Sequence, residues 1–271
     1  MLVQDFLQIS AARLPGKVAL VCGGRRLTYA EIDAAANRLA NAFIAHGVNR
    51  GDRVGLFLSN SPEAVIAVFA ALKAGAIFVP VNLSTKLEKL VHILNNCAAT
   101  AVVIDGQRLP MVEAAFARVP SLRLGVVTGE GLPDSERLPT DLLDFASIQE
   151  SYGSDLPRQV NIDLDLACII YTSGTVGEPK GAMIDHGNIV FAATSVMTYL
   201  QLSEHDIILN VLPLSFSYGL YQVLMTFKAG GRVVLEPSFA FLGEVLKRVE
   251  SERVTGLPGV PTMLQRCFTP I

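Results

Sequence analysis

The sequence has no Cys-x-x-Cys pair and no Cys/His cluster at metal-ligand spacing. Its four cysteines, Cys22, Cys97, Cys168 and Cys267, lie far apart and mostly among apolar residues. That excludes a zinc-bound or disulfide-stapled scaffold and implies buried, reduced thiols. A strong charge of either sign is also missing. The net charge is −3, with no basic cluster interleaved with aromatics, which argues against a nucleic-acid binder. Met1–Gly16 lacks a basic start and a continuous apolar core, so it does not read as a signal peptide. Leu2, Val3, Phe6, Leu7 and Ile9 instead predict a docked amphipathic helix. Reduced thiols without a signal peptide predict a cytoplasmic location. No uninterrupted membrane-length run occurs either. The nearest approach, Ala64–Val81, contains Lys73, Gly75 and Pro80. It divides better into a helix Pro62–Ala74, a stop at Gly75 and a buried strand Ala76–Val79.

What the chain has is apolar content arranged in alternation. At 51% hydrophobic over 271 residues, one large or two small domains could fill a substantial core. Val18–Cys22 and Arg25–Leu27 predict a hairpin around Gly23-Gly24. Thr28 and Glu31 form a capping-box pattern for a helix running to about His46. Further strands are expected at Arg53–Leu58, Thr100–Ile104, Leu122–Val127, Ile207–Leu212, Arg232–Leu235 and Val254–Leu257. Helices are expected at Thr85–Asn95, Met111–Arg118, Leu142–Glu150, Asp185–Leu200, Tyr218–Lys228, Leu242–Ser251 and Pro261–Cys267. This rhythm predicts an α/β protein with two mainly parallel sheets and flanking helices. Gly129–Val160, rich in turn residues, reads as a connector. The expected division is a first sheet unit with its connector over 1–160 and a second over 161–271.

The second unit opens with Leu166–Tyr171, a short apolar strand, and then Thr172-Ser173-Gly174-Thr175-Val176-Gly177-Glu178-Pro179-Lys180-Gly181. Three glycines, three hydroxyls and a lysine in ten residues suit polyphosphate. Glycines admit close backbone approach, hydroxyls donate, and the lysine supplies a mobile point charge. A Walker A loop is excluded, because Lys180 stands between Pro179 and Gly181 rather than before a Ser or Thr that opens a helix.

This string closely resembles the signature loop of the AMP-forming acyl-adenylating superfamily, with Val176 where a Thr or Ser is usual. Three further elements are similar to that superfamily's and follow in its order. They are Leu27-Thr28-Tyr29-Ala30-Glu31-Ile32, Leu72-Lys73-Ala74-Gly75 with its continuation to Asn82, and Leu212-Pro213-Leu214-Ser215-Phe216-Ser217-Tyr218-Gly219. The resemblance implies a two-step reaction. A carboxylate attacks the α-phosphate of Mg·ATP to give acyl-AMP and pyrophosphate, and a thiol of CoA or of a carrier phosphopantetheine then displaces AMP. It assigns Thr172, Ser173, Gly174, Thr175, Gly177 and Lys180 to the ATP phosphates. Phe216, Ser217, Tyr218 and Gly219 are assigned to the acyl pocket.

Where amino-acid-activating relatives carry Asp, Ser217 offers no charge, so a plain carboxylic acid is expected. The glutamate of the Tyr-Gly-x-Thr-Glu motif that usually holds Mg²⁺ is missing, and no metal ligand is expected here. The ribose-binding aspartate, hinge and adenylation lysine of the superfamily are missing as well, so no catalytic residue is assigned. The chain is therefore expected to be the amino-terminal part of a longer ligase, inactive alone and prone to self-association. Two alternatives stay open: a truncated, non-catalytic nucleotide-binding or interaction module, and an adenylation domain or acyl-AMP ligase feeding a carrier protein.

Overall fold

Runs of β-branched and small apolar residues form the strands of two sheets, and helices cover their faces, as buried parallel strands require. The structure, a computed structural model, describes residues 1–129, 142–172 and 178–268. Helix α1 (Asp5–Arg13) precedes the hairpin β1 (Val18–Cys22) and β2 (Arg25–Thr28), and α2 (Tyr29–Ala45) follows. The capping box forms: Thr28 Oγ1 accepts from the Glu31 N–H, and the Glu31 carboxylate accepts from the Thr28 N–H at 2.7 Å. Next come β3 (Arg53–Phe57), α3 (Pro62–Lys73), β4 (Ile77–Pro80), α4 (Leu87–Asn96), β5 (Ala99–Asp105), α5 (Leu109–Phe116) and β6 (Leu124–Thr128). After these lie β7 (Leu142–Asp144), α6 (Phe145–Ser151), β8 (Leu166–Thr172), β9 (Lys180–Asp185) and α7 (His186–Tyr199). The described chain finishes with β10 (Ile207–Asn210), α8 (Ser217–Ala229), β11 (Arg232–Leu235), α9 (Leu242–Ser251) and α10 (Pro261–Phe268).

The larger sheet has the order β7-β6-β5-β3-β4-β8-β9, and the smaller β10-β11-β1-β2. Pairings are parallel except at one edge of each sheet, where a hairpin turns back: β9 on β8 and β2 on β1. Sheet membership does not follow the expected boundary at residue 160. β1 and β2 join β10 and β11, whereas β8 and β9 complete the sheet of β3 to β7. Strand periodicity carries no information about which distant strand is the partner, so the two sheets interleave along the chain.

Both sheets share one core. Leu20 and Val233 from the smaller sheet cluster with Val54, Phe78 and Val103 from the larger, and α3 is buried on every face from Ala64 to Lys73. That burial explains the near-continuous apolar run: a helix apolar all round lies inside a protein or a membrane. No described helix is long and apolar enough to cross a membrane. Phe69 of α3 stacks on Phe227 of α8 with ring centroids 5.6 Å apart.

Three local expectations are corrected. Leu142–Asp144 is an edge strand, with Asp144 capping the helix that starts at Phe145. The strand expected at Val254–Leu257 is reduced to one bridge between Ile208 and Gly256. Val3, just before α1, and Phe6 and Leu7 within it are buried as predicted, but Ile9 falls on the outer face and is exposed. Cys97 and Cys168 are buried and Cys22 is half-buried, all three free; the side chain of Cys267 lies outside the described residues.

Candidate active site

Strands β4 and β8 are parallel neighbours, and the chain leaves their carboxyl ends in opposite directions. From β4 it recrosses β3 to reach β5, and from β8 it turns outward to the edge strand β9. Open α/β sheets bind ligands beyond the carboxyl ends of strands at such a divergence. A cavity of about 560 Å³ lies there, walled by Tyr171 and Thr172 of β8, Pro179 before β9, Lys86 and Lys89 of the α4 segment, and Phe216 before α8.

Thr172 and Lys180 are direct cross-strand partners. The two ends of the glycine-rich loop are thus brought together, with Thr172 in the cavity wall and Lys180 exposed beside it. Ser173, Gly174, Thr175 and Gly177 lie outside the described residues. Gly181 is required by crowding: a Cβ there would come within 2.6 Å of Ile169 Cγ2 and 3.1 Å of Tyr171 Cζ. Without it the Tyr171 ring lies across β9, and its hydroxyl donates to Asn96 Oδ1. Burial, helped by the Cys97 thiol, pushes the phenol up to about 12, so it stays a donor throughout the neutral range. Burial also pushes the thiols of Cys97 and Cys168 up, to about 11 and about 12, which leaves both inert as nucleophiles near neutrality.

The segment 212–216 is fixed by a buried amide that no sequence pattern singles out. Asn60, just after β3, donates through Nδ2 to Leu212 O and Glu236 O and accepts at Oδ1 from the Leu214 N–H, each at 3.0 Å. It ties the carboxyl end of the larger sheet to the segments leaving β10 and β11. Of the predicted acyl residues, Phe216 reaches the cavity, 52% exposed. Ser217 and Tyr218 sit exposed on the first turn of α8 outside the cavity wall, and Gly219 is buried. Tyr221 is half-buried against the core.

Lys86 and Lys89 have no ion-pair partner among the described residues, and Glu88 is held by Arg118 at 2.6 and 2.7 Å. The cavity therefore presents cations and hydroxyls, a set suited to phosphate oxygens. Among the described residues no group of three His, Cys, Asp or Glu could hold a metal ion, so the described lining supplies no carboxylate cluster for Mg²⁺.

The fold and crevice define an α/β protein of the kind that binds ligands beyond the carboxyl ends of its strands. The chain belongs to the AMP-binding enzyme family, whose model matches residues 7–270. It is 36% identical over 253 residues to a feruloyl-CoA synthase of Amycolatopsis, covering 93% of this chain and 47% of that protein. It is 35% identical to the phosphinothricin tripeptide synthetase PhsC of Streptomyces viridochromogenes, covering 91% of this chain and 21% of that protein. Among solved structures, the anthranilate CoA ligase AuaEII in complex with anthranoyl-AMP superposes with a TM-score of 0.90 at 27% identity, covering 97% of this chain and 50% of that one. The N-terminal domain of FACL13 from Mycobacterium tuberculosis gives 0.87 at 27% identity, covering 99% and 65%. The chain spans about half the length of the CoA synthase it matches.

Proposed function

We propose that this chain forms the phosphate-binding part of an ATP-dependent acyl- or aryl-CoA ligase, which activates a carboxylic acid as acyl-AMP and passes it to a thiol. The observation that carries the reading is the pairing of Thr172 with Lys180 at the rim of a lysine-lined cavity that Phe216 closes from another side. Adenylation joins two anions, so the protein must neutralise and align them. Thr172 would donate its hydroxyl and Lys180 its charge to the β- and γ-phosphates, with Ser173, Thr175 and the amides at Gly174 and Gly177 as further donors. Phe216 would border the acyl group as its apolar wall, with Ser217, Tyr218 and Gly219 anchoring it from the first turn of α8.

The similarity to a feruloyl-CoA synthase supports CoA as acceptor and an aryl acid as substrate. A carrier phosphopantetheine is the second reading, supported by the similarity to the peptide synthetase. Ser217, which cannot pair with an ammonium group, weighs against an amino acid. The apolar edge of β9 and α7 adds a tendency to self-associate, and the buried thiols support a cytoplasmic setting.

Carboxylate-dependent exchange of pyrophosphate into ATP is the test. The 271-residue chain alone should stay at background with any acid. Joined to the carboxyl-terminal half of a relative such as the feruloyl-CoA synthase, it should exchange with hydroxycinnamic acids and lose that activity on Lys180→Ala. Exchange by the isolated chain, sensitive to Lys180→Ala, would show that it is catalytically complete; exchange by the joined protein with amino acids alone would transfer the reading to the second class.

A further inference from the structure

One polar stripe of α4 meets both flanks of the glycine-rich loop. Lys89, His92 and Asn96 are spaced i, i+3 and i+7 and therefore share a helix face. Asn96 accepts from the hydroxyl of Tyr171, the residue before Thr172. His92 Nδ1 lies 3.4 Å from the carboxylate of Glu178, two residues before Lys180. Lys89 lines the cavity with Thr172 and Pro179. On the other side of the helix Leu90, Val91 and Leu94 are buried in the core, so α4 is a rigid reference rather than a surface helix free to shift.

We propose that this stripe sets the geometry of the phosphate site: Asn96 and His92 are positioning residues for the two loop flanks, and Lys89 is a direct contact for phosphate oxygens. The inference rests on the phosphate reading above and adds three residues that no recognised motif contains. Asn96 acts through Tyr171, whose ring also covers Gly181, so a single hydrogen bond references both β8 and β9 to the helix. His92 acts through Glu178, and because the Glu178 side chain is 75% exposed, its share is the smaller. Lys89 has no ion-pair partner among the described residues, and the one acid beside it in the cavity lining, Glu88, is forked by Arg118.

Calorimetric titration with inorganic pyrophosphate, at low and high salt, tests the proposal. Asn96→Ala and Tyr171→Phe should each weaken binding about three- to tenfold, the loss of one hydrogen bond. The double variant should be no weaker than either, a non-additivity that general destabilisation would not produce. His92→Ala should weaken binding by about twofold. Lys89→Ala, at an exposed position where folding is insensitive, should weaken it at low salt, with the difference from wild type shrinking at high salt. If Asn96→Ala does not fold, Lys89→Ala and Tyr171→Phe still decide.

Unchanged affinity in the Asn96, Tyr171 and Lys89 variants, alongside lost affinity in Lys180→Ala, would overturn the stripe and leave the phosphate reading standing. No pyrophosphate binding by the wild type would overturn both.

Discussion

Nζ of Lys73 lies 2.6 Å from Asp33 Oδ1 and 2.6 Å from Asn37 Oδ1, with its side chain entirely shielded from water. Burial lowers its pKa while Asp33 raises it; the partners hold the ammonium in place. Asn37 in turn donates to the Ser154 carbonyl, so the lysine also steadies the connector that leads to β8. Asp33→Ala strands a buried charge and should cost about 3–5 kcal/mol. Adding Lys73→Met should recover most of that, because an apolar side chain of similar length needs no partner there. Urea unfolding of the three proteins gives both numbers, and a mild Asp33→Ala phenotype would refute the account of this pair.

His186 is fully buried, with one ring nitrogen facing the amino-terminal segment at Val3 and the other the connector at Asn161. The Val3 N–H donates to Nδ1 at 3.2 Å, so the ring proton falls on Nε2; Asn161 Nδ2 lies 3.1 Å from it, and the Asn161 amide accepts that proton once it is turned to present Oδ1, which has no other partner. Burial lowers its pKa, opposed by Asp165, Asp5, Asp185 and Asp163. The unfolded chain thus takes up a proton first as pH falls. The stability owed to the neutral ring is present in full above about 6.5, the ordinary histidine value, and is lost progressively below it. The urea midpoint should fall between pH 7.5 and 5.5, and less so in His186→Gln. Identical slopes for the two proteins would contradict this.

Gly219 has no room for a side chain: a Cβ would lie 2.5 Å from Pro213 O and 2.7 Å from Leu212 O, both backbone atoms. Gly219→Ala should cost about 1–3 kcal/mol through overpacking. It should also displace the segment that presents Phe216, which a change in the aromatic NMR signals would report. A variant as stable as wild type, with those signals in place, would mean that the 212–219 turn yields easily.

The edge strand β9 exposes Met183, and the adjoining α7 exposes Phe191 and Tyr199. Unpaired edges next to apolar side chains favour association. Light scattering should show mass rising with concentration, and Met183→Lys with Phe191→Ser should suppress the rise. A monomer at every concentration would remove this expectation.

Local signals in the sequence carried most of the elements. Gly23-Gly24 marked the β1–β2 hairpin, Thr28 and Glu31 the start of α2, and Leu242–Ser251 was read to the residue as α9. Which strands pair was not legible, since β1 finds β11 across more than two hundred positions and nothing local encodes that choice. The three-residue β7 is too short to show a period. In the site, Thr172, Lys180 and Phe216 stood in recognisable strings. Asn60, His92 and Asn96 did not, because a polar residue on an amphipathic helix or in a turn does not reveal what it faces.

The claim that the Thr172–Lys180 hairpin is the phosphate site is tested most directly by calorimetric titration of Mg·ATP into the wild type, Lys180→Ala and Lys228→Ala. Lys228 carries the same charge but reaches Thr194 and lies 5.0 Å over the Phe6 ring, away from the cavity. The wild type should bind with a dissociation constant of roughly millimolar, about 4 kcal/mol, weakening as salt rises. Lys180→Ala should lose most of that affinity and Lys228→Ala should keep it; equal binding by wild type and Lys180→Ala would contradict the claim.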